Sequence, residues 1–235
     1  MTNIVILDNK RHRSVTVQGG HSALGHQRFV QVVLREFSLL AIQSPLLVSK
    51  DSDTGAFFVG AMLGFDEGEN LFANAVGDHE GYRPLNLQRA PFYVSDGRLA
   101  IDLDSPIVNT GRGEALFDDA GEGTPFLENI HYVLGEFRTG LEMTRIFIDT
   151  LLKHKLLVEM EVDLAFDDGT QRQLEGLYTI DQEALQALDD AAALELFRRG
   201  YMYLIHLMVV SVKQIAQLAR RKNERLLDPP LAALV

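Results

Sequence analysis

Cysteine is absent from all 235 residues. That excludes disulfides, zinc–thiolate sites, iron–sulfur clusters and cysteine nucleophiles. It suits a cytoplasmic home, which is the localisation expected here. A long apolar run near the start is lacking as well. MTNIVILDNKRHRSV holds only Ile4 to Leu7 before Asp8, too short for the core of a secretory signal. Positive charge is scarce: 22 Lys and Arg face 33 Asp and Glu, a net charge of −11. Such a balance argues against nucleic acid or an anionic membrane as main partner. No nucleophile elbow, phosphate loop or metal-ligand cluster stands out, so neither a cofactor nor a metal is expected. Repeats and low-complexity linkers are missing too.

What is present is an ordinary globular balance, with 46% hydrophobic and 23% charged residues. The length suffices for a real core in one large domain or two small ones. With no compositional break, one domain is expected over 1–225, followed by a loose tail over 226–235.

The central stretch is YRPLNLQRAPFYVSDGRLAIDLDS, from Tyr82 to Ser105. Pro84 and Pro91 fix their own backbone and push Arg83 and Ala90 away from helix, so one short helical turn at most fits between them. Phe92–Val94 and Leu99–Ile101 read as two strands joined by the turn residues Ser95, Asp96 and Gly97. If the second strand persists past Ile101, Asp102 and Asp104 share one face. Arg89 then has two readings. In one it clamps the strand end through a carboxylate, Asp102 first and Asp104 second. In the other, Tyr82, Arg89, Asp102 and Asp104 line a polar ligand site.

Elsewhere, Ile4–Leu7 and Val15–Val17 read as strands around a basic turn, Lys10–Arg13. His21 and His26 lie in a Gly-rich loop, five apart, off any shared helical face, and read as loop residues. Phe29 to Ile42 is expected to pass from strand into a short helix from about Arg35 to Gln43. Pro45 stops it, and Leu46–Val48 and Phe57–Leu63 form a buried hairpin around Asp51–Gly55. The acidic loop GFDEGEN, Gly64 to Asn70, lacks EF-hand spacing and reads as a loop rather than a cation site. Asp78–His79–Glu80 point in different directions and form no site.

Thr124–Pro125 signals a helix start, with a helix expected to about His154 and a break near Gly135 or Gly140. Val158 to Phe166 alternates, with Val158, Met160, Val162, Leu164 and Phe166 inward, and it turns at Asp167–Gly169 into a returning strand over 171–180. Asp181 caps a short helix, and Asp189 or Asp190 starts the last one. There Leu194, Phe197, Tyr201, Leu204, Met208, Ile215 and Leu218 recur at three- and four-residue steps. Tyr201 to Val212 is apolar nearly all round but shorter than the roughly 20 residues a bilayer needs. A buried core helix is expected, not a membrane span, with His206 a core histidine.

The ordered blocks SPLLVSKD, FFVGAMLGFDEGENLF, GYRPLNLQRAPFYV, LAIDLDSP, LFDDAGEGTPFLE, LAFDDGT and LEGLYTID resemble the SapC family of bacterial proteins. The resemblance runs from about Phe29 to Leu218. It is carried by Gly68–Glu69–Asn70, Tyr82-x-Pro84, Arg89-x-Pro91–Phe92, Ile101–Asp102 and Thr124–Pro125. It implies a link to bacterial surface layers, and to flavoproteins resembling tryptophan halogenases, cupin-like proteins and TonB-dependent receptors encoded nearby. It carries no catalytic residue over.

The resulting expectation is an α+β fold, a mainly antiparallel sheet from the N-terminal two-thirds with C-terminal helices packed on it. The expected function is an accessory or binding protein. The alternative is a small-molecule or peptide-modifying enzyme using the Tyr82, Arg89, Asp102 and Asp104 site. Glu69, Asn70, Tyr82, Arg89, Asp102 and Asp104 are the candidate ligand-binding residues. The expected partners are a protein, or a second copy of the chain, on the helical face, and a small molecule or peptide.

Overall fold

The structure is a computed structural model, and it describes residues 3–18, 27–73 and 79–227. His21, His26, Asp78 and the tail beyond Leu227 lie outside the described residues. The fold is α+β, with antiparallel sheets and C-terminal helices. The chain divides into two compact units, each assembled from two separate stretches.

The first unit comprises Met1–His26 and Phe72–Thr139. Strands β1 (Ile4–Ile6), β6 (Phe92–Ser95) and β7 (Arg98–Asp102) form a sheet in the order β1-β7-β6. Ser95 pairs with Arg98 across a two-residue loop in which Asp96 and Gly97 both have positive φ. That is the mirror-image turn a tight hairpin needs, and Asp–Gly supplies it at low steric cost. Strands β2 (Val15–Val17), β8 (Val108–Thr110) and β9 (Glu114–Ala115) form a second small sheet. The core joins Val17, Phe92, Ile101, Ile107 and Leu116 to Leu127, Ile130 and Leu134 of helix α3 (Pro125–Lys153).

The second unit comprises Gln27–Leu71 and Gly140–Val235. Its sheet has the order β10-β11-β4-β5-β3, with β3 (Phe29–Gln31), β4 (Leu46–Lys50), β5 (Phe57–Met62), β10 (Leu157–Ala165) and β11 (Gln171–Ile180). The segment after β3 runs through a 3-10 turn, Leu34–Glu36, into helix α1 (Phe37–Leu40). Helix α3 shows no break at Gly135 or Gly140. Gly140 is there because Val33 crosses it: a Cβ on residue 140 would lie 2.6 Å from the Val33 Cβ. One turn on, Thr144 Oγ1 donates to the Gly140 carbonyl (2.7 Å) and accepts from Leu34 N (3.1 Å).

Two expectations need correction here. Val158 is exposed rather than inward. The bulge in this hairpin lies in β11, where Leu174 to Leu177 spans three steps against two from Met160 to Val162, so β10 keeps its alternation and Val158 is exposed on the edge strand of the sheet. The last helix is also three helices. Asp189 caps α5 (Asp190–Arg198), accepting from Ala192 N. Gly200, at φ 73°, breaks the chain before α6 (Tyr201–Ser211), and a further turn precedes α7 (Gln214–Leu227). The left-handed backbone at Gly200 rotates the seam, so Leu194 and Phe197 do not continue the buried line of α6.

Candidate functional site

Glu69 and Asn70 belong to the second unit, and Tyr82, Arg89, Asp102 and Asp104 to the first. Tyr82 is half-buried ahead of helix α2 (Leu85–Gln88). Arg89 follows α2, and among the described residues its fork closes on no carboxylate. Nε donates to Asn86 Oδ1 and Nη1 to the Phe92 carbonyl, each at 2.8 Å. The guanidinium lies over the rings of Tyr93 (4.9 Å) and Phe137 (5.6 Å). Burial pulls the Arg89 pKa below its ordinary value. An arginine stacked on rings and bonded to a carbonyl needs no counter-ion at its side, because aromatic faces and carbonyl dipoles are both electronegative.

Asp102 is likewise occupied by the backbone. Its Oδ1 accepts from Asn3 N (3.0 Å) and Asp104 N (3.1 Å). Strand β7 ends at Asp102, and the side chain folds the next residues into a turn. Asp102 and Asp104 therefore do not share a strand face: Asp102 is buried and Asp104 exposed. Both the ion-pair expectation and the shared-face expectation are corrected by the same fact, that backbone groups satisfy these side chains first.

In the second unit, the acidic loop after β5 is a clasp on α7. Glu69 Oε2 accepts from Phe65 N (2.8 Å) and Asp66 N (3.3 Å), which shapes the loop. Leu218, Lys222 and Arg225 fall at i, i+4 and i+7, one stripe of α7. Leu218 is buried, Lys222 pairs with Glu69 and with Asp66 (2.8 Å to Asp66), and Arg225 donates to the Asn70 carbonyl (2.8 Å). Arg172 of β11 reaches the other Asp66 oxygen at 2.5 Å. Burial pushes the Asp66 carboxyl up, but the Arg172 and Lys222 hydrogen bonds outweigh it and hold it below its ordinary range. Burial likewise pulls Lys222 down, and the Asp66 and Glu69 bonds carry it above its ordinary value. Among the described residues no three His, Asp or Glu side chains converge as a metal site. Lys222 and Arg172 were missed in the sequence, since each lies more than a hundred residues from its partner and no local signal marks the pairing.

The same hairpin bounds a cleft. Beyond Gly176, at φ 71°, β11 leaves β4, which it pairs only at Leu177–Ser49 and Tyr178–Val48. Its far end reaches the acidic loop, where Phe166 packs on Phe65 (5.4 Å between rings). Between lies a cavity of about 150 Å³, bounded by Phe29, Met62, Leu174 and Leu177 with Arg28, Ser49, Gln173 and Glu175.

The third feature is a helical face. On α6, Ile205 and Met208 are fully buried, and Ser211 Oγ accepts from Leu46 N (2.9 Å), fixing the helix to β4. The opposite side is open. Tyr203 is 59% exposed and Val210 51%, with His206 between them exposed as well, not a core histidine. On α5, Leu194 is 46% and Phe197 71% exposed. Tyr201–Leu227 is long and apolar enough to cross a membrane by length and composition, and only 22% of its most apolar window is buried. The expected buried core helix is thus half right: one side is core and the other is surface. Apolar contacts with β4 and β11 use only one side of a helix that is apolar all round.

The SapC family model matches residues 7–218. No curated protein and no solved structure matches the chain.

Proposed function

The chain belongs to the SapC family, and from that premise we propose that it is an accessory protein that docks a protein partner through the open face of α5 and α6. The observation that carries this reading is the exposure of Leu194 and Phe197 on α5 and of Tyr203 and Val210 on α6. Apolar side chains gathered on one face mark contact surfaces, because exposing them to water is costly. On α6 and just after it, exposed His206 and Lys213 accompany Tyr203 and Val210, and no acid occurs from Tyr201 to Leu218. A second copy would set this basic rim against itself, since a two-fold interface apposes identical patches. The fitting partner therefore presents an apolar ridge with acidic residues beside it. Surface-layer or outer-membrane uptake and modification systems are where we place that partner, on the family resemblance.

A modifying enzyme built on Tyr82, Arg89, Asp102 and Asp104 takes second place, because Arg89 and Asp102 hold their own backbone. The docking reading is tested with a photo-crosslinking residue at Tyr203 and a control at Glu161, on the acidic face of β10. The expected result is one dominant heterologous crosslink from the native cell at 203 only, absent in the Phe197→Glu variant. Self-crosslinks alone, equal labelling at both positions, or flotation of the purified chain with lipid vesicles would overturn it.

A further inference from the structure

The cleft between β11 and the sheet carries charge that the fold itself does not use. Arg28 bounds it, and among the described residues its guanidinium makes one hydrogen bond, Nη1 to the Phe65 carbonyl at 3.1 Å. That bond fixes the head and leaves most of its five N–H donors for other acceptors. Among the described residues no carboxylate lies within ion-pair distance of Arg28. Glu175 of β11 also borders the cleft and has no ion pair among them either. Two opposite charges thus border one cavity without neutralising each other. At the other end of the hairpin, Asp66, Glu69, Arg172 and Lys222 do neutralise one another.

The cavity also has a purpose-built floor. Met62, Leu174 and Leu177 are buried, and Phe29 lies across Gly60, where any Cβ would come within 2.3 Å of its ring. Ser49 turns its hydroxyl to the Gly176 carbonyl (3.1 Å), steadying the point at which β11 departs. The clasp at Asp66 holds the far end of the hairpin. The gap is therefore anchored at both ends. About 150 Å³ is the size of a cavity that admits a benzene-sized molecule.

We propose that this cleft binds a small zwitterion, an α-amino acid with a short apolar side chain. The carboxylate meets the free donors of Arg28, the ammonium meets Glu175, and the side chain rests on Phe29, Met62, Leu174 and Leu177. A phosphate is disfavoured by Glu175, and a purely apolar ligand would leave both charges unanswered. This site is independent of the docking face, since it uses neither α5 nor α6.

The test is a titration of the full chain with L-valine, followed by amide NMR shifts and calorimetry. Isobutyrate, which lacks the ammonium, and isobutylamine, which lacks the carboxylate, are run beside it. Valine is expected to shift the amides of Ser49, Gly64 and Leu177, with both truncated probes at least about tenfold weaker, as losing one charged hydrogen bond implies. Arg28→Gln and Glu175→Gln should each weaken valine by a similar factor. Arg28 and Glu175 are both exposed, so each variant is expected to keep the fold, and either one remains informative if the other does not. No shift at several millimolar valine, or equal binding of isobutyrate and valine, would overturn the proposal.

Discussion

Arg89 shows how a side chain's partner can be misread from sequence. Its place between two prolines marked it as held, yet sequence does not distinguish a carboxylate from a carbonyl and two rings. The geometry predicts that Arg89→Ala destabilises by about 1–3 kcal/mol, the loss of bonds to a charged donor. Adding Asp102→Asn should bring no recovery, because the two share no ion pair. Denaturant midpoints of the single and double variants check this, and a coupling above about 1 kcal/mol would restore the ion pair. Lys222 gives a pH signature. The folded pKa of Asp66 is depressed, so its contribution is full above its ordinary 3.8 and fades as pH falls through the folded value. The folded pKa of Lys222 is raised, so its contribution is full below 10.5 and fades as pH climbs through the folded value. The clasp therefore stabilises most between about pH 4 and 10. Lys222→Met should cost about 2 kcal/mol near neutrality, between the exposed and buried limits. It should also flatten the alkaline limb of the stability curve. A parallel curve at all pH values would show that Lys222 is not clasped.

Elements were legible wherever local chemistry decides them. The Asp–Gly turn, the Asp181 and Asp189 caps and the Thr124–Pro125 start all sit where the residues placed them. The misplaced features depend on contacts remote in sequence. Gly140 looked like a helix breaker and is a crossing point, because Val33 needs the missing Cβ. Gly200 falls inside the stretch expected to be one helix and breaks it, which its glycine could have signalled. Gly140→Ala is the element-scale prediction. Helix propensity alone favours alanine by about 1 kcal/mol. Crowding against Val33 should reverse the sign, with a net loss of about 1–2 kcal/mol. A raised melting temperature would mean that Val33 yields freely.

At the scale of the whole chain, the division into two units escaped the sequence because each unit is built from distant stretches with no linker between them. The exposed side of α5 and α6 escaped it for a related reason. Periodicity says which residues lie together on a helix, not how many sides the fold will cover. Aromatic residues dominate binding energy at interfaces, so Phe197 and Tyr203 should be the anchors. The most direct measurement is the affinity of the crosslinked partner, once isolated, for the parent chain and for Phe197→Ala, with Val158→Ala as control on the exposed hairpin. A docking face predicts a loss of about 2 kcal/mol or more, roughly thirtyfold, for Phe197→Ala and none for the control. Equal affinity of all three would contradict it.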